Sequence, residues 1–568
     1  MSLFEKITKL FNFSPASIST KQVIFFYIIG ITSIILLIFG RYSGNYHSNY
    51  KFIWLYLNGG LTNDIYINSS LAIQTSIFYP LLNFFKVNLD HDVIGIIFHY
   101  IFSIFGAIYL FKILKKYLGK NDNLDIFIIV ISLSILDHIV LHTVRSGWIN
   151  THTMTSSQAA LSFFFYYLWQ VLNKNTFNLY FSSAILFLLS IKVAFFPIGC
   201  FFIFMFWYRK NFLDILWIIP CIVIALYFQF QYSVVQTESV REILFNEVLR
   251  REEEEVAIHL QETWRIMLVP IYFIIYAKLL KFINNPTFRQ LSLIVLIISI
   301  LLFIIGGLYT KYAIYIYPDP KLATLTPVRS MFVFQLFFGI LICNAIIQNV
   351  SDKILKYTFL TFPFLLGYGY KGVIVIILLS ITCIIYRFIK NKIKFNTNFS
   401  YYLFILLILA LSINTFQSRI DLIDKFTFAK IKHWSTFLPN TKNKNNYKEF
   451  FIELRLCPDF LIYDDIHDST NANFFANKSR YYFHRTNDTY LNYDLFKEHN
   501  RRLEIINKIK DNKNVFNNKY DNENFIYISK EPLNFDIYNI KKDFGFMYFF
   551  LEKDRFNSLK NECKLLFK

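Results

Sequence analysis

The stretch Val23-Ile-Phe-Phe-Tyr-Ile-Ile-Gly-Ile-Thr-Ser-Ile-Ile-Leu-Leu-Ile-Phe-Gly40 carries no charge and no strong helix breaker apart from one internal glycine. About 20 such residues form a helix that crosses the hydrocarbon of a bilayer, because a helix satisfies every backbone N–H and C=O internally where water cannot. Lys6, Lys9 and Lys21 precede the stretch and no small-residue cleavage site follows it, so it reads as a retained span rather than a removable signal.

Comparable apolar runs recur as far as Phe416. About thirteen have the length and polarity of a span. Composition agrees: of 568 residues, 55% are hydrophobic and only 17% charged, the wrong balance for a water-soluble surface. The expected fold is an α-helical polytopic membrane protein. Residues 1–416 form its multi-span domain, and 41–92 its first outer loop.

The formal charge of +19 does not point to nucleic acid, because the basic residues sit where a membrane protein needs them. Lys112, Lys115, Lys116 and Lys120, then Lys174, Arg209 and Lys210, Lys278, Lys281 and Arg289, Lys353 and Lys356, and Arg387 to Lys394 fall in alternate loops. The positive-inside rule makes those loops cytoplasmic, along with the N-terminus. The loops around 41–92, 145–158, 231–265 and 310–329 then face the other side, and an odd number of spans sends the C-terminal part there too.

After Phe416 the hydropathy changes. Short apolar stretches at Phe460–Tyr463, Tyr481–Phe483, Phe525–Ile528 and Phe544–Leu551 alternate with polar, Asn- and Lys-rich sequence, and Tyr493–Lys510 has a helical pattern. Residues 417–568, about 150 of them, suffice for one soluble α/β domain on the non-cytoplasmic face. Cys200, Cys221, Cys343 and Cys383 lie in apolar helical runs and act as small hydrophobes. Cys457 and Cys563 share the C-terminal domain, where an oxidising compartment would let them pair. No cysteine or histidine spacing suggests a metal.

The long loops lie on the expected outer face, and candidate chemistry gathers there. Asp64, in Leu61-Thr-Asn-Asp64-Ile-Tyr66, stands between the first span and a short apolar stretch, Leu71 to Phe85, that reads as an interfacial or re-entrant helix. A partly desolvated carboxylate at the membrane boundary can serve as general base for a hydroxyl. Asn-Asp before an apolar segment is also ordinary punctuation, an N-cap or turn, and on the sequence alone that reading comes first. Asp90-His91-Asp92 has the spacing that holds a divalent cation beside a phosphate, yet it directly precedes a span, where capping explains it first.

The third span contains Asp137, His138 and His142, with Arg145 at its outer end and His152 beyond. Ionisable groups in a span are costly, and either a functional role or helix pairing can retain them. Lys192 lies at an expected outer helix end beside Pro197, taken as a helix break. It reads as a snorkelling lysine or as a fixed cation for phosphate. Arg329, in Leu325-Thr-Pro-Val-Arg329-Ser, sits at the outer mouth of a late span. Its guanidinium fork suits phosphate oxygens, with pairing to an acidic group as the structural competitor.

Taken together, these features resemble the GT-C class of membrane glycosyltransferases, which take sugars from polyprenyl phosphate. The likeness lies in the layout: a cytoplasmic N-terminus, an acid in the first outer loop, many spans and an outer C-terminal domain. More narrowly, Pro327-Val-Arg329, the segment Asn477-Lys-Ser-Arg480-Tyr-Tyr-Phe-His-Arg485 and the charged helix with Arg501-Arg502 resemble features of bacterial GT-C-like proteins. The resemblance implies a polyprenyl-phosphate sugar donor entering from the bilayer. Its phosphate would be held by Arg329 with Lys192 or Arg145, while Asp64 deprotonates an acceptor hydroxyl on a glycan, lipid or protein. Attack at the anomeric carbon would invert it.

Asp64 has no second carboxylate beside it, so the reaction is expected to need no cofactor or metal, although Asp90 and Asp92 leave a divalent cation open. A bacterial inner membrane, serving the cell envelope, is the expected location. A transporter or flippase is the competing reading, since Asp137, His138, His142 and Lys192 could line a path. No internal symmetry of the kind transporters show is visible. A membrane scaffold is the third.

Overall fold

The computed structural model describes residues 61, 63–68, 76–78, 91–118, 125–126, 129–130, 133, 156–173, 176–209, 216, 219–220, 223, 263–311, 332–360, 377–382, 454, 461–464, 481, 493–510, 525–529, 538–541 and 547–550. The chain divides into two compact units. One comprises Met1–Arg41, Ile96–Leu226 and Val248–Ile423; the other comprises Tyr42–Gly95, Tyr227–Glu247 and Asp424–Lys568. In chain order the helices are α1 (Ile65–Asn68), α2 (His91–Tyr117), α3 (Ser156–Asn173), α4 (Thr176–Leu189), α5 (Ile191–Arg209), α6 (Thr263–Leu279), α7 (Pro286–Lys311), α8 (Phe332–Asn349), α9 (Lys353–Leu360) and α10 (Tyr493–Lys510). The span expected at 23–40 lies outside the described residues.

Helix α7 shows what solvent the first unit is built for. Asn285 caps it, accepting the Phe288 amide at 3.0 Å, and Pro286 occupies the first helical position, where its missing N–H costs nothing. Leu293, Ile297, Leu301, Ile304, Ile305 and Leu308 form an outward stripe at helical spacing, while Ser292 and Ser299 are buried. A helix in water has the opposite arrangement. Only 33% of the Pro286–Ile305 stretch is buried, so lipid is the solvent that suits its exposed face. The two serines return their hydroxyls to their own helix, Ser292 Oγ donating to Phe288 O at 2.8 Å and Ser299 Oγ to Val295 O at 2.6 Å. The chain is accordingly an integral membrane protein with a helical membrane domain.

Helices pack closely where side chains are small or flat. A Cβ on Gly106 of α2 would lie 3.1 Å from both Cα and O of Ser162 on α3, so glycine permits the backbones to touch. The two helices run parallel, Phe105 stacking on Phe163 and, further along, Tyr117 Oη donating to Leu172 O at 2.9 Å. At that same end Lys116 bonds Asn173 Oδ1 and lies over the Tyr117 and Trp169 rings. Such lysine–aromatic contacts anchor a helix at a membrane boundary. Tyr276 of α6 stacks on Phe334 and Phe338 of α8, and its buried hydroxyl donates to Ser292 O at 3.0 Å.

Helix α5 corrects an expectation. The chain stays helical through Pro197, and the break falls at Ser190. Ser190 closes α4 by donating its N–H to Leu186 O and opens α5 by accepting the Ala194 N–H. Its Oγ is 3.4 Å from Ser157 Oγ in the first turn of α3, yet Phe201 packs against Phe164 and Tyr167 further along α3. The chain therefore doubles back at Ser190. Proline is tolerated inside α5 because lipid-embedded helices satisfy freed backbone groups through neighbours and local adjustment.

The second unit contains a four-stranded sheet in the order β1-β2-β4-β3, with β1 (Leu461–Asp464), β2 (Phe525–Ser529), β3 (Tyr538–Lys541) and β4 (Met547–Phe550). β1 pairs parallel to β2, with Leu461 opposite Phe525, so the connection between them must cross over, and it includes α10. β4 runs antiparallel to both β2 and β3. Helix α10 buries Phe496, His499, Arg502, Ile505 and Ile506 on one face and exposes Asp494, Lys497, Arg501 and Glu504 on the other, the amphipathic pattern of a helix in water.

Candidate functional site

Asp64 is fully buried and sits at the N-cap of the single-turn helix α1. Its amide donates to Leu61 O at 3.0 Å, closing a turn, and its Oδ1 accepts the Tyr66 amide at 3.0 Å. The capping geometry that Asn-Asp predicted is thus present. Leu61 opens this turn at φ 56°, a left-handed conformation that costs a non-glycine residue about 1–2 kcal/mol and persists only where its surroundings hold it.

What holds it comes from far along the chain. The Tyr66 ring is fully buried, and its Oη lies in a hydrogen bond 3.1 Å from His499 Nδ1, on the buried face of α10. The two rings meet edge to face at a centroid distance of 5.7 Å, and Leu495 packs against the Ile65 and Tyr66 pair. Phe496 stacks on the imidazole, with centroids 6.5 Å apart. Sequence reasoning singled out Asp64 but missed Tyr66 and His499, since no short-range pattern links residues 433 positions apart.

Helix α10 is fixed in turn. Arg502 donates through Nη1 to Tyr481 O at 2.8 Å and lies over the Tyr481 ring at 5.1 Å. Tyr481 passes the connection to the sheet, its amide donating to Ile462 O on β1 at 2.9 Å. Two segments that the sequence marked separately, 477–485 and Arg501-Arg502, therefore meet through Tyr481 and Arg502. Tyr481 stands in a bend rather than a strand.

Glu498 orders both arginines. It accepts a forked pair from Arg501, at 2.7 and 2.8 Å, and the Arg502 Nε at 2.6 Å. Burial pushes the Glu498 carboxyl up, but hydrogen bonds and charge from Arg501 and Arg502 outweigh it and leave the group below the ordinary carboxylate range.

In the first unit, Lys192 lies in the first turn of α5, beside the start of α3 and thus at the end opposite the Lys116 contacts. Phe332, three residues after Arg329, packs edge to face on Phe164 of α3 at 5.5 Å. Asp92 lies in the first turn of α2. Arg329, Arg145, Asp137, His138, His142, His152 and Asp90 lie outside the described residues, as do Cys457 and Cys563. Lys356, read from the sequence as a basic loop residue, instead pairs with buried Asp125 at 3.0 Å.

No protein-family profile matches the chain, and no curated protein does. Among solved structures it is similar to the crystal structure of ArnT from Cupriavidus metallidurans bound to undecaprenyl phosphate, at 10% identity over 94% of this chain and 98% of that one, with a TM-score of 0.46.

Proposed function

We propose that the chain is a GT-C-type membrane glycosyltransferase that moves a sugar from a polyprenyl-phosphate carrier to an acceptor on the non-cytoplasmic face. The observation that supports this best is the joining of the Asp64 turn to the C-terminal helix α10 through Tyr66 and His499 within one unit. A loop acid built onto a soluble domain is what an enzyme needs when its donor comes from lipid and its acceptor from water.

In this reading Asp64 accepts the proton of the acceptor hydroxyl, the oxygen attacks the anomeric carbon, and the C–O bond to the carrier phosphate breaks with inversion. Arg329, Lys192 and Arg145 hold the leaving phosphate, whose stabilisation is the larger catalytic contribution. Lys192 stands at one end of α3. The reaction requires no metal.

The test uses the full-length protein in nanodiscs with a panel of radiolabelled undecaprenyl-phosphate sugars and an envelope extract as acceptor. Label transferred with release of undecaprenyl phosphate, and lost in Arg329→Ala, supports the proposal. Failure to turn over any donor removes it, and movement of a labelled carrier between leaflets without transfer replaces it with a flippase.

A further inference from the structure

We infer that His499 is a positioning residue for Asp64, acting through Tyr66; the inference rests on the transferase reading and assigns the C-terminal helix a part in the reaction. Tyr66 links the two residues, its amide on Asp64 Oδ1 and its hydroxyl on His499 Nδ1. The orientation of Asp64 is set by the Tyr66 amide, which donates to Oδ1 at 3.0 Å, and by its own amide bond to Leu61 O. A helix of one turn cannot hold such a geometry alone, since nucleation costs more than one turn returns. The strained φ of Leu61 adds to that cost.

The restoring force comes from the Tyr66 ring, clasped by α10. His499 Nδ1 meets its hydroxyl at 3.1 Å, the two rings stand nearly perpendicular, and Leu495 packs beside it. The imidazole has little room to yield, being 2% exposed, stacked on Phe496 and one turn from Arg502, itself fixed to Tyr481. Rigidity therefore passes from the sheet through Tyr481, Arg502 and His499 to Tyr66, and so to the carboxylate. Such support matters because a misplacement of about 1 Å in a reacting group can cost about 100-fold in rate.

The experiment compares the full-length protein with Tyr66→Phe, His499→Ala and His499→Asn, in nanodiscs, by hydrogen exchange and by transfer from the undecaprenyl-phosphate sugar panel. His499→Asn keeps a polar atom near the Nδ1 position. Tyr66→Phe removes one oxygen and leaves the ring, so it reports even where His499→Ala fails to fold.

Tyr66→Phe and His499→Ala should speed exchange in peptides covering 61–68 by about 10-fold, while peptides covering 500–510 keep their protection. In the same variants kcat should fall about 10- to 100-fold with KM for the donor unchanged, and His499→Asn should restore most of both. Unchanged exchange at 61–68 overturns the inference whatever the activity. Looser exchange with full kcat overturns it too. A wild-type chain inactive on every donor overturns the transferase reading, while the exchange data still decide whether His499 holds the Asp64 turn.

Discussion

Asp64 Oδ1 accepts the backbone amide of Tyr66 at 3.0 Å, so the residue proposed to take a proton also caps the helix that carries its neighbour. The two roles separate by substitution. Asn keeps the capping oxygen but is no base, so Asp64→Asn should melt within about 1 kcal/mol of wild type yet lose transfer. Asp64→Ala should lose the cap as well, at a cost of about 0.5–2 kcal/mol, seen as a lower melting temperature of the detergent-purified chain. Full transfer by the Asn variant would reduce Asp64 to a cap.

Lys356 and Asp125 form a partly buried ion pair, with side-chain exposures of 13% and 4%. Lys356→Ala would remove a cation that neutralises the Asp125 carboxylate, and thermal unfolding should show a loss of about 3–5 kcal/mol. Replacing both partners, Asp125→Leu with Lys356→Met, should recover most of that loss. A single variant as stable as wild type would show the pair to be solvated.

The Glu498 carboxylate is held below its ordinary value in the folded protein, so the unfolded state binds more protons in acid. The stability it contributes is complete above the unfolded pKa, near 4.3, and is lost as pH falls through the lower folded value. Hydrogen exchange of α10 should therefore loosen progressively below about pH 4. Glu498→Gln should show faster exchange at neutral pH and a flatter acid profile; an unaltered profile would exclude Glu498 as the titrating group.

At Gly106 of α2 an added Cβ would meet the Ser162 backbone of α3 at 3.1 Å, which cannot rotate away, and the Phe165 ring at 3.3 Å. Gly106→Ala should destabilise by about 1–3 kcal/mol, and Gly106→Leu should sharply reduce the yield of folded protein in detergent. Wild-type stability in the leucine variant would mean that these helices do not pack through this glycine.

The membrane character was plain from sequence because lipid demands apolar surface, and α7 answers with leucine and isoleucine outward and serine inward. Helix α10 was legible to its end residues, since a soluble amphipathic helix advertises its buried face every three or four positions. Strand β3 was not: Tyr-Asn-Ile-Lys lacks a distinctive apolar run, and only pairing with β4 makes it a strand. Pro197 misled, because the rule that proline breaks helices is weaker inside a membrane bundle. Asp64 was found with its capping role, but its support was invisible. Tyr66 and His499 each look ordinary in their own segments, and Lys356 gains its meaning from an acid 231 residues away.

The clasp on Tyr66 also sets an order of events during synthesis. Ribosomes add about 5–20 residues per second, so a chain that has exposed Tyr66 waits on the order of 20–90 s before His499, 433 residues later, is made. Until then the bundle can be inserted while the Asp64 turn lacks its clamp. A nascent or C-terminally truncated chain would thus sit in the membrane without a completed site, and completion of the last domain would act as the quality check on the first loop.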